Sequence, residues 1–222
     1  MDALINAGGK GTRMGRCGIE KPMQEIYGIP TVRRVADAIR SSDYIDEIHV
    51  SVSSNTPETE KYLQSIGIDT ILTSGESFMD DLHTSFEQIN SEYILTCPSD
   101  LPLLSTDAIN SFIEFFEPGI MQSAIAVVDE ETVRSAGITP SYTREDGGRN
   151  WVLSGICIMN REKTLNGEYL EEVLYKTNRL DLSVNVNTRS ELSLARILFG
   201  KEGKKFQVRF FLPEIPKEIV RS

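Results

Sequence analysis

Four glycines fall within eight residues near the N-terminus, in Gly8-Gly9-Lys10-Gly11-Thr12-Arg13-Met14-Gly15, and Lys21-Pro22 follows closely. From Gly8 to Lys21 the bases Lys10, Arg13, Arg16 and Lys21 stand against a single acid, Glu20. This stretch therefore carries +3 in a chain whose net charge is −10. A glycine-rich turn lets backbone N–H groups approach a phosphate closely, because no Cβ stands in the way. Arg adds a forked donor and Lys a point charge. The chemistry expected of Ala7, Gly8, Gly9, Lys10, Gly11, Thr12, Arg13 and Lys21 is the holding of a polyphosphate.

A second cluster is Cys97-Pro98-Ser99-Asp100-Leu101-Pro102, behind the apolar run Tyr93 to Cys97. A lone carboxylate there suits Mg²⁺, a hard cation that takes one or two carboxylates and completes its shell with substrate phosphates. The other reading of Asp100 is a turn residue that caps the next helix. Two familiar phosphate motifs do not fit the glycine stretch. A P-loop needs Gly-Lys-Ser/Thr, and here Gly9-Lys10 is followed by Gly11. A dinucleotide turn must open into a helix with an acid about twenty residues on. Cys17-Gly18, Lys21-Pro22 and Gly28-Ile29-Pro30 break any such helix, and Val50 to Asn55 offers no acid.

The elements that must position these groups alternate regularly. Ala3 to Ala7 reads as a first strand, and Val32, Val35, Ala36 and Ile39 recur at helical spacing. Ile48 to Val52 alternates as a strand, and Thr56-Pro57 opens a helix that Gly67 stops. Strands at Asp69–Thr73 and Tyr93–Cys97 enclose a helix at Asp80–Asn90, and a further helix runs from Thr106 to Phe116. Such alternation implies an α/β fold, a Rossmann-like three-layer sandwich with a mostly parallel central sheet. In such sheets ligands gather at the carboxyl ends of the strands, which would bring the glycine stretch and Asp100 to one edge. After Ser123–Val128 the pattern changes. Residues 129–150 are polar and rich in turn formers, expected as an acceptor-side insertion. Trp151 to Met159 returns to strand, Val184 and Val186 mark a last core strand, and Ser190 to Phe199 forms a helix. The tail, residues 200–222, is basic and then apolar, fitting an edge strand, a partner-binding arm or a homodimer contact.

With 222 residues, 40% hydrophobic and 25% charged, the composition is that of an ordinary globular domain. No run approaches a membrane span, and no signal peptide opens the chain. Cys17, Cys97 and Cys157 are odd in number and widely spaced, which disfavours a disulfide framework or zinc site and suits a reducing cytoplasm. The overall acidity argues against nucleic acid as a partner. His49 and His83 have no Ser or Cys beside them to complete a nucleophile and base.

The run Leu4 to Gly15 with Lys21-Pro22 resembles the signature of the MobA-like NTP transferases, which join an NTP to a phosphorylated acceptor. Asn6 departs from it, at a position usually apolar. Met1-Asp2-Ala3-Leu4, Val133 to Gly137, Leu153 to Ile156 and Asp181 to Arg189 are most similar to the archaeal-type GTP:adenosylcobinamide-phosphate guanylyltransferases. Molybdenum-cofactor guanylyltransferases and sugar-phosphate nucleotidyltransferases are the nearest alternatives, and a non-catalytic nucleotide-binding regulatory domain is the alternative of another class. The resemblance covers residues 1–199, taken as the nucleotidyltransferase domain, and implies GTP, a phosphorylated acceptor and Mg²⁺. It implies catalytic roles for Arg13, Lys21 and Asp100, with Asp100 and Asn187 at the metal. It further implies base recognition near Gly75 and Glu76, and Gly155 in a strand lining the acceptor pocket. For these last positions plainer readings stay open. Asn187 or Thr188 would cap a helix, Gly155 would mark a β-bulge, and Asp80 and Asp81 would serve a helix N-terminus.

Overall fold

The computed structural model describes residues 1–14 and 18–210, with side chains described to residue 200. Its first strand, β1 (Asp2–Asn6), lies inside the sheet, and Ala3, Leu4 and Ile5 are fully buried. A short hairpin, β2 (Glu25–Ile26) and β3 (Ile29–Pro30), leads to α1 (Thr31–Arg40). Alternation follows: β4 (Ile48–Val52), α2 (Pro57–Ser65), β5 (Asp69–Leu72), α3 (Phe78–Gln88), β6 (Tyr93–Pro98), α4 (Thr106–Phe115) and β7 (Ser123–Asp129). The chain then makes α5 (Glu130–Ser135), β8 (Thr143–Asp146), β9 (Arg149–Asn160), α6 (Arg161–Leu165), β10 (Glu172–Thr177) and α7 (Arg189–Phe210).

The strands form one eight-stranded sheet in the order β10-β7-β9-β6-β1-β4-β5, with β8 paired on β9. The strands β6, β1, β4 and β5 are mutually parallel, as is the pair β7 and β10. Only a two-faced apolar strand can sit in such a sheet, and β1 separates its side chains by face. Ala3 and Ile5 join a core built with α1, α2, α4, α5 and α7, through residues such as Val35, Leu63, Phe112, Val133 and Leu192. Leu4 joins Ile71, Leu82, Phe86 and Ile94 on the opposite face, beneath α3. Residue registers fix the working edge. Asn6 at the end of β1 pairs with Ser51 of β4 and Pro98 of β6. The segments leaving these three strands therefore emerge side by side.

Several expectations need correction. Residues 129–150 are not an irregular loop. Asp129 accepts from the Thr132 N–H to start α5, and β8 turns through Gly147-Gly148 into β9. The strand β9, which lies beyond the point where the alternation breaks, runs antiparallel to β6 and β7 in the otherwise mostly parallel sheet that was expected. Val184 and Val186 are buried but belong to no strand. The Val186 N–H bonds the Asp100 carbonyl at 2.9 Å, a tie between two segments rather than a ladder. The last helix is longer than expected, and its helical backbone replaces an edge strand as far as Phe210. The remainder of the tail, like Gly15, Arg16 and Cys17, lies outside the described residues. Among the described residues no helix is long and apolar enough to cross a membrane.

Cys97 and Cys157 are free thiols on adjacent strands. Burial pushes Cys97 well above the ordinary thiol range and Cys157 up to about 12. At pH 8 a thiol of that pKa is thiolate in only about one molecule in 10⁴, so neither should act as a nucleophile. In a Cys17→Ser protein, a chromogenic disulfide reagent at pH 8 should leave the buried Cys97 unlabelled and the half-buried Cys157 labelled only slowly until denaturant is added. Rapid labelling of the native protein would contradict this burial.

Candidate active site

The glycine stretch leaves β1 and is held from beneath by β4. The Ala7 N–H bonds the Ser51 carbonyl at 2.9 Å, and the Gly8 carbonyl accepts from Ser53 Oγ at 2.7 Å and Asn55 Nδ2 at 3.4 Å. A Cβ on Gly8 would lie 3.3 Å from that of Ser53, and one on Gly11 (φ +59°) 3.3 Å from Lys21 Cβ. These two glycines let the loop lie against β4 below and Lys21 beside it. Asn6, the departure noted in the sequence, accepts from Ser51 Oγ at 3.3 Å, so the polar residue is satisfied within the sheet.

The loop walls a cleft of ≈ 260 Å³. Ala7, Gly9, Lys10, Gly11, Thr12 and Arg13 line one side, and Lys21, Pro98, Ser99, Asp100 and Asn187 line the other. At its floor the Lys21 ammonium donates to Asp100 Oδ2 and to Asn187 Oδ1, the latter at 2.8 Å. Asn185 Nδ2 donates to Asp100 Oδ1 at 3.2 Å. Asp100 and Asn187 are 6% and 5% exposed. A carboxylate this buried is tolerable because it is paired with a cation and hydrogen-bonded. On the loop side Arg13 makes no hydrogen bond or ion pair with any described residue and stays exposed. Lys10 reaches out to Glu76 at 2.6 Å.

The geometry tests the helix-cap readings. Asp100 caps no helix, because the N-cap of α4 is Ser105, whose Oγ accepts from the Ala108 N–H. The cap of α7 is Thr188, whose Oγ1 accepts from the Glu191 N–H at 3.2 Å. In return Glu191 accepts from the Asn187 N–H at 2.8 Å, one residue before the cap. This reciprocal pair frees the Asn187 side chain for Lys21 and fixes its direction. Asn185 and Glu191 were not among the residues expected from the sequence, although Thr188-x-x-Glu191 carries the capping-box spacing.

Gly155 (φ +81°) lies where the pairing of β7 with β9 shifts register, and its Cβ would meet Pro98 Cγ at 3.3 Å. It is thus a bulge glycine lying against the strand that delivers Asp100, and it does not line the cleft. Gly75 and Glu76 flank the loop outside the cleft. Asp81 holds that segment by accepting from Ser74 Oγ and the Gly75 N–H, while Ser77 caps α3 through the Asp80 N–H. His49 and His83 lie near Glu47 and Glu87 and away from the cleft.

Among the described residues no three His, Cys, Asp or Glu side chains gather to hold a metal by themselves. The oxygen pair fits one nevertheless. Asp100 and Asn187 both converge on a single cation, the Lys21 ammonium, and such hard oxygens beside a basic glycine loop suit a divalent metal ion.

A basic glycine loop, a lysine and a buried Asp-Asn pair on one sheet edge agree with the outcome of comparison. Residues 3–181 match the MobA-like NTP transferase domain. The chain belongs to that family. It is 32% identical over 214 residues to the adenosylcobinamide-phosphate guanylyltransferase of Methanocaldococcus jannaschii, covering 91% of this chain and 100% of that one. The molybdenum cofactor guanylyltransferase of Ralstonia pickettii is 28% identical over 130 residues, 57% of this chain and 60% of that one. A solved CMP:2-keto-3-deoxy-manno-octonic acid synthetase complexed with CTP shares the fold with TM-score 0.71 at 16% identity, covering 90% of this NTP transferase and 98% of that chain. A nucleotidyl transferase from Methanothermobacter gives 0.66 at 17% identity, with 90% and 98% covered.

Gly75 separates two costs. At φ +71° any L-residue is strained by roughly 1–2 kcal/mol. A Cβ there would also overlap both Ser53 Oγ and Asn55 Nδ2, the groups that hold the Gly8 carbonyl. Gly67 (φ +69°) has nothing within 4 Å of the place a methyl group would take. Gly75→Ala should therefore destabilise more than Gly67→Ala in thermal melting and should weaken NTP binding, which Gly67→Ala leaves unchanged. Equal losses of stability with unaltered binding in both would show that Ser53 and Asn55 do not support the loop.

Proposed function

We propose that this NTP transferase moves GMP from GTP to adenosylcobinamide phosphate, releasing pyrophosphate, in the cytoplasm and in the service of cobalamin synthesis. The observation that carries the acceptor is the match to the Methanocaldococcus jannaschii protein over 91% of this chain, against 57% for the Ralstonia pickettii molybdenum cofactor enzyme. A match of the first extent has to include most of the residues in segments 129–160 and 172–210, which complete the sheet and carry Asn187.

The reaction is an in-line displacement. An oxygen of the acceptor phosphate forms a bond to the α-phosphorus of GTP, the bond to the β-phosphate oxygen breaks, and pyrophosphate leaves. An ionised phosphate needs no general base, which agrees with a described cleft lining that holds one acid, Asp100, and no histidine. The work left to the protein is positioning and charge neutralisation. Backbone amides of Gly8 to Gly11 and the Lys10 and Arg13 side chains hold the β- and γ-phosphates, Lys10 exchanging Glu76 for the triphosphate. Lys21 offsets charge at the α-phosphate. Asp100 and Asn187 would hold Mg²⁺, which when bound neutralises phosphate charge. Gly75 and Glu76 border the base.

A pyrophosphate-release screen of four NTPs against cobinamide phosphate, a molybdopterin acceptor and sugar phosphates tests the assignment. Turnover is expected with GTP and the cobinamide phosphate. Activity on the molybdopterin acceptor alone would transfer the protein to the other guanylyltransferases, and tight GTP binding without turnover on any acceptor would make it a regulatory domain. Asp100→Asn keeps the shape and one acceptor oxygen while removing the charge. It should stay folded and lose on the order of 10²–10³ in kcat, with little recovery as Mg²⁺ is raised. Near-wild-type turnover of a well-folded Asp100→Asn protein would remove Asp100 from the chemistry.

A further inference from the structure

The residue before the cleft lysine has an unusual pair of partners. Glu20 Oε1 accepts from the Glu58 N–H at 2.8 Å, and its Oε2 accepts from the Thr59 N–H at 2.8 Å and from Thr59 Oγ1 at 2.5 Å. Glu58 and Thr59 belong to the first turn of α2, whose N–H groups have no partner inside the helix. The helix's own N-cap residue does not serve them. Thr56 makes no side-chain cap bond, its Oγ1 being spent on the Ser53 N–H and carbonyl. A carboxylate from a distant part of the chain thus caps α2, where its charge also suits the positive end of the helix.

Little freedom separates that anchor from the Lys21 ammonium. Lys21-Pro22-Met23 form one 3-10 turn, with the Met23 N–H bonded to the Glu20 carbonyl at 3.0 Å and Pro22 fixing the backbone. Thr31 Oγ1 holds the Pro22 carbonyl at 3.0 Å. The helix that receives Glu20 follows β4 directly, through the same Ser53 that holds the Gly8 carbonyl. The glycine loop and Lys21 are therefore referred to a single piece of scaffold.

We propose that Glu20 is a positioning residue: by capping α2 it sets where the Lys21 ammonium stands relative to the triphosphate loop and Asp100. The proposal rests on the reading of Lys21 as the cation at the α-phosphate. Losing the cap frees the Lys21 turn, and misplacement of a reacting group by about 1 Å can cost on the order of 10²-fold in rate. The loop contacts to the β- and γ-phosphates do not pass through Glu20, so nucleotide affinity should change little.

The test is a double-mutant cycle on kcat with Glu20→Ala, Lys21→Ala and the pair, alongside nucleotide Kd and thermal melting. Glu20→Ala alone should lower kcat by about 10- to 100-fold with Kd within about threefold. In the Lys21→Ala background it should lower kcat no further. Glu20→Gln, which keeps one acceptor oxygen, should fall between wild type and Glu20→Ala, and it carries the same cycle if the alanine variant does not fold. Equal losses from the Glu20 change in both backgrounds would overturn the proposal, since a general weakening of the fold does not need Lys21. An unchanged kcat in a folded Glu20→Ala protein would overturn it too. If Lys21→Ala by itself leaves kcat unaltered, the reading of the site fails first, which is a separate result.

Discussion

The site depends on one ammonium group held between two buried oxygens. Lys21 Nζ bonds Asp100 and Asn187, residues from distant parts of the chain that meet at the carboxyl edge of the sheet. Neither acceptor would be stable in that place alone. An unpaired carboxylate buried to this degree costs several kcal/mol, and the usual outcome is a partner or a proton. Here the partner is supplied by a turn whose backbone is set by Pro22 and whose approach is opened by Gly11. On the proposed reading the same pair of oxygens serves a divalent cation, since both are hard ligands and the cleft beside them is lined by the glycine loop with Lys10 and Arg13.

How much of this was legible in the sequence varied with the kind of signal. The glycine loop, Lys21 and Asp100 stand in strong local contexts, and the register of β1 with β6 carries them to one edge. For Asn187 the resemblance to the family implied a place at the metal, while the residue types alone allowed Asn187 or Thr188 as the helix cap, since both belong to the favoured N-cap residues. What separated them was Glu191, three residues beyond Thr188, whose carboxylate turns back to the Asn187 N–H. Asn185 gave no signal, since its role is to donate to Asp100 from a segment without regular structure.

The misread elements have physical causes. Val184 and Val186 alternate like a strand because both are buried, yet burial at alternate positions needs only an extended segment. In residues 129–150 the polar composition concealed a helix capped by Asp129 and a hairpin whose two-residue Gly147-Gly148 turn is a recognised signal. The edge strand β10 escaped notice because its side chains are at most half-buried, so the apolar alternation that marks inner strands is weak. Its pairing with β7 is a tertiary fact.

The antiparallel strand has the largest consequence for the site. By entering between β6 and β7, β9 divides the sheet into a parallel half, β6-β1-β4-β5, and a second half built on β9, β7 and β10. The glycine loop, the Ser53 support and Asp100 all belong to the first half. At the seam, β9 must bend where β6 ends, and Gly155 accommodates this through its positive φ and its contact with Pro98. On the β8 side of the bulge, Trp151 and Val152 pair with β7 on one edge and with β8 on the other. On the proposed reading, a nucleotide lies over the parallel half, whose carboxyl edge carries the glycine loop and Asp100. The two halves are joined along the β6–β9 ladder, where Tyr93, Ile94, Leu95 and Thr96 pair with Asn160, Met159, Ile158 and Cys157, and again where the Val186 N–H bonds the Asp100 carbonyl, so a change in the second half reaches the segment that holds Asp100.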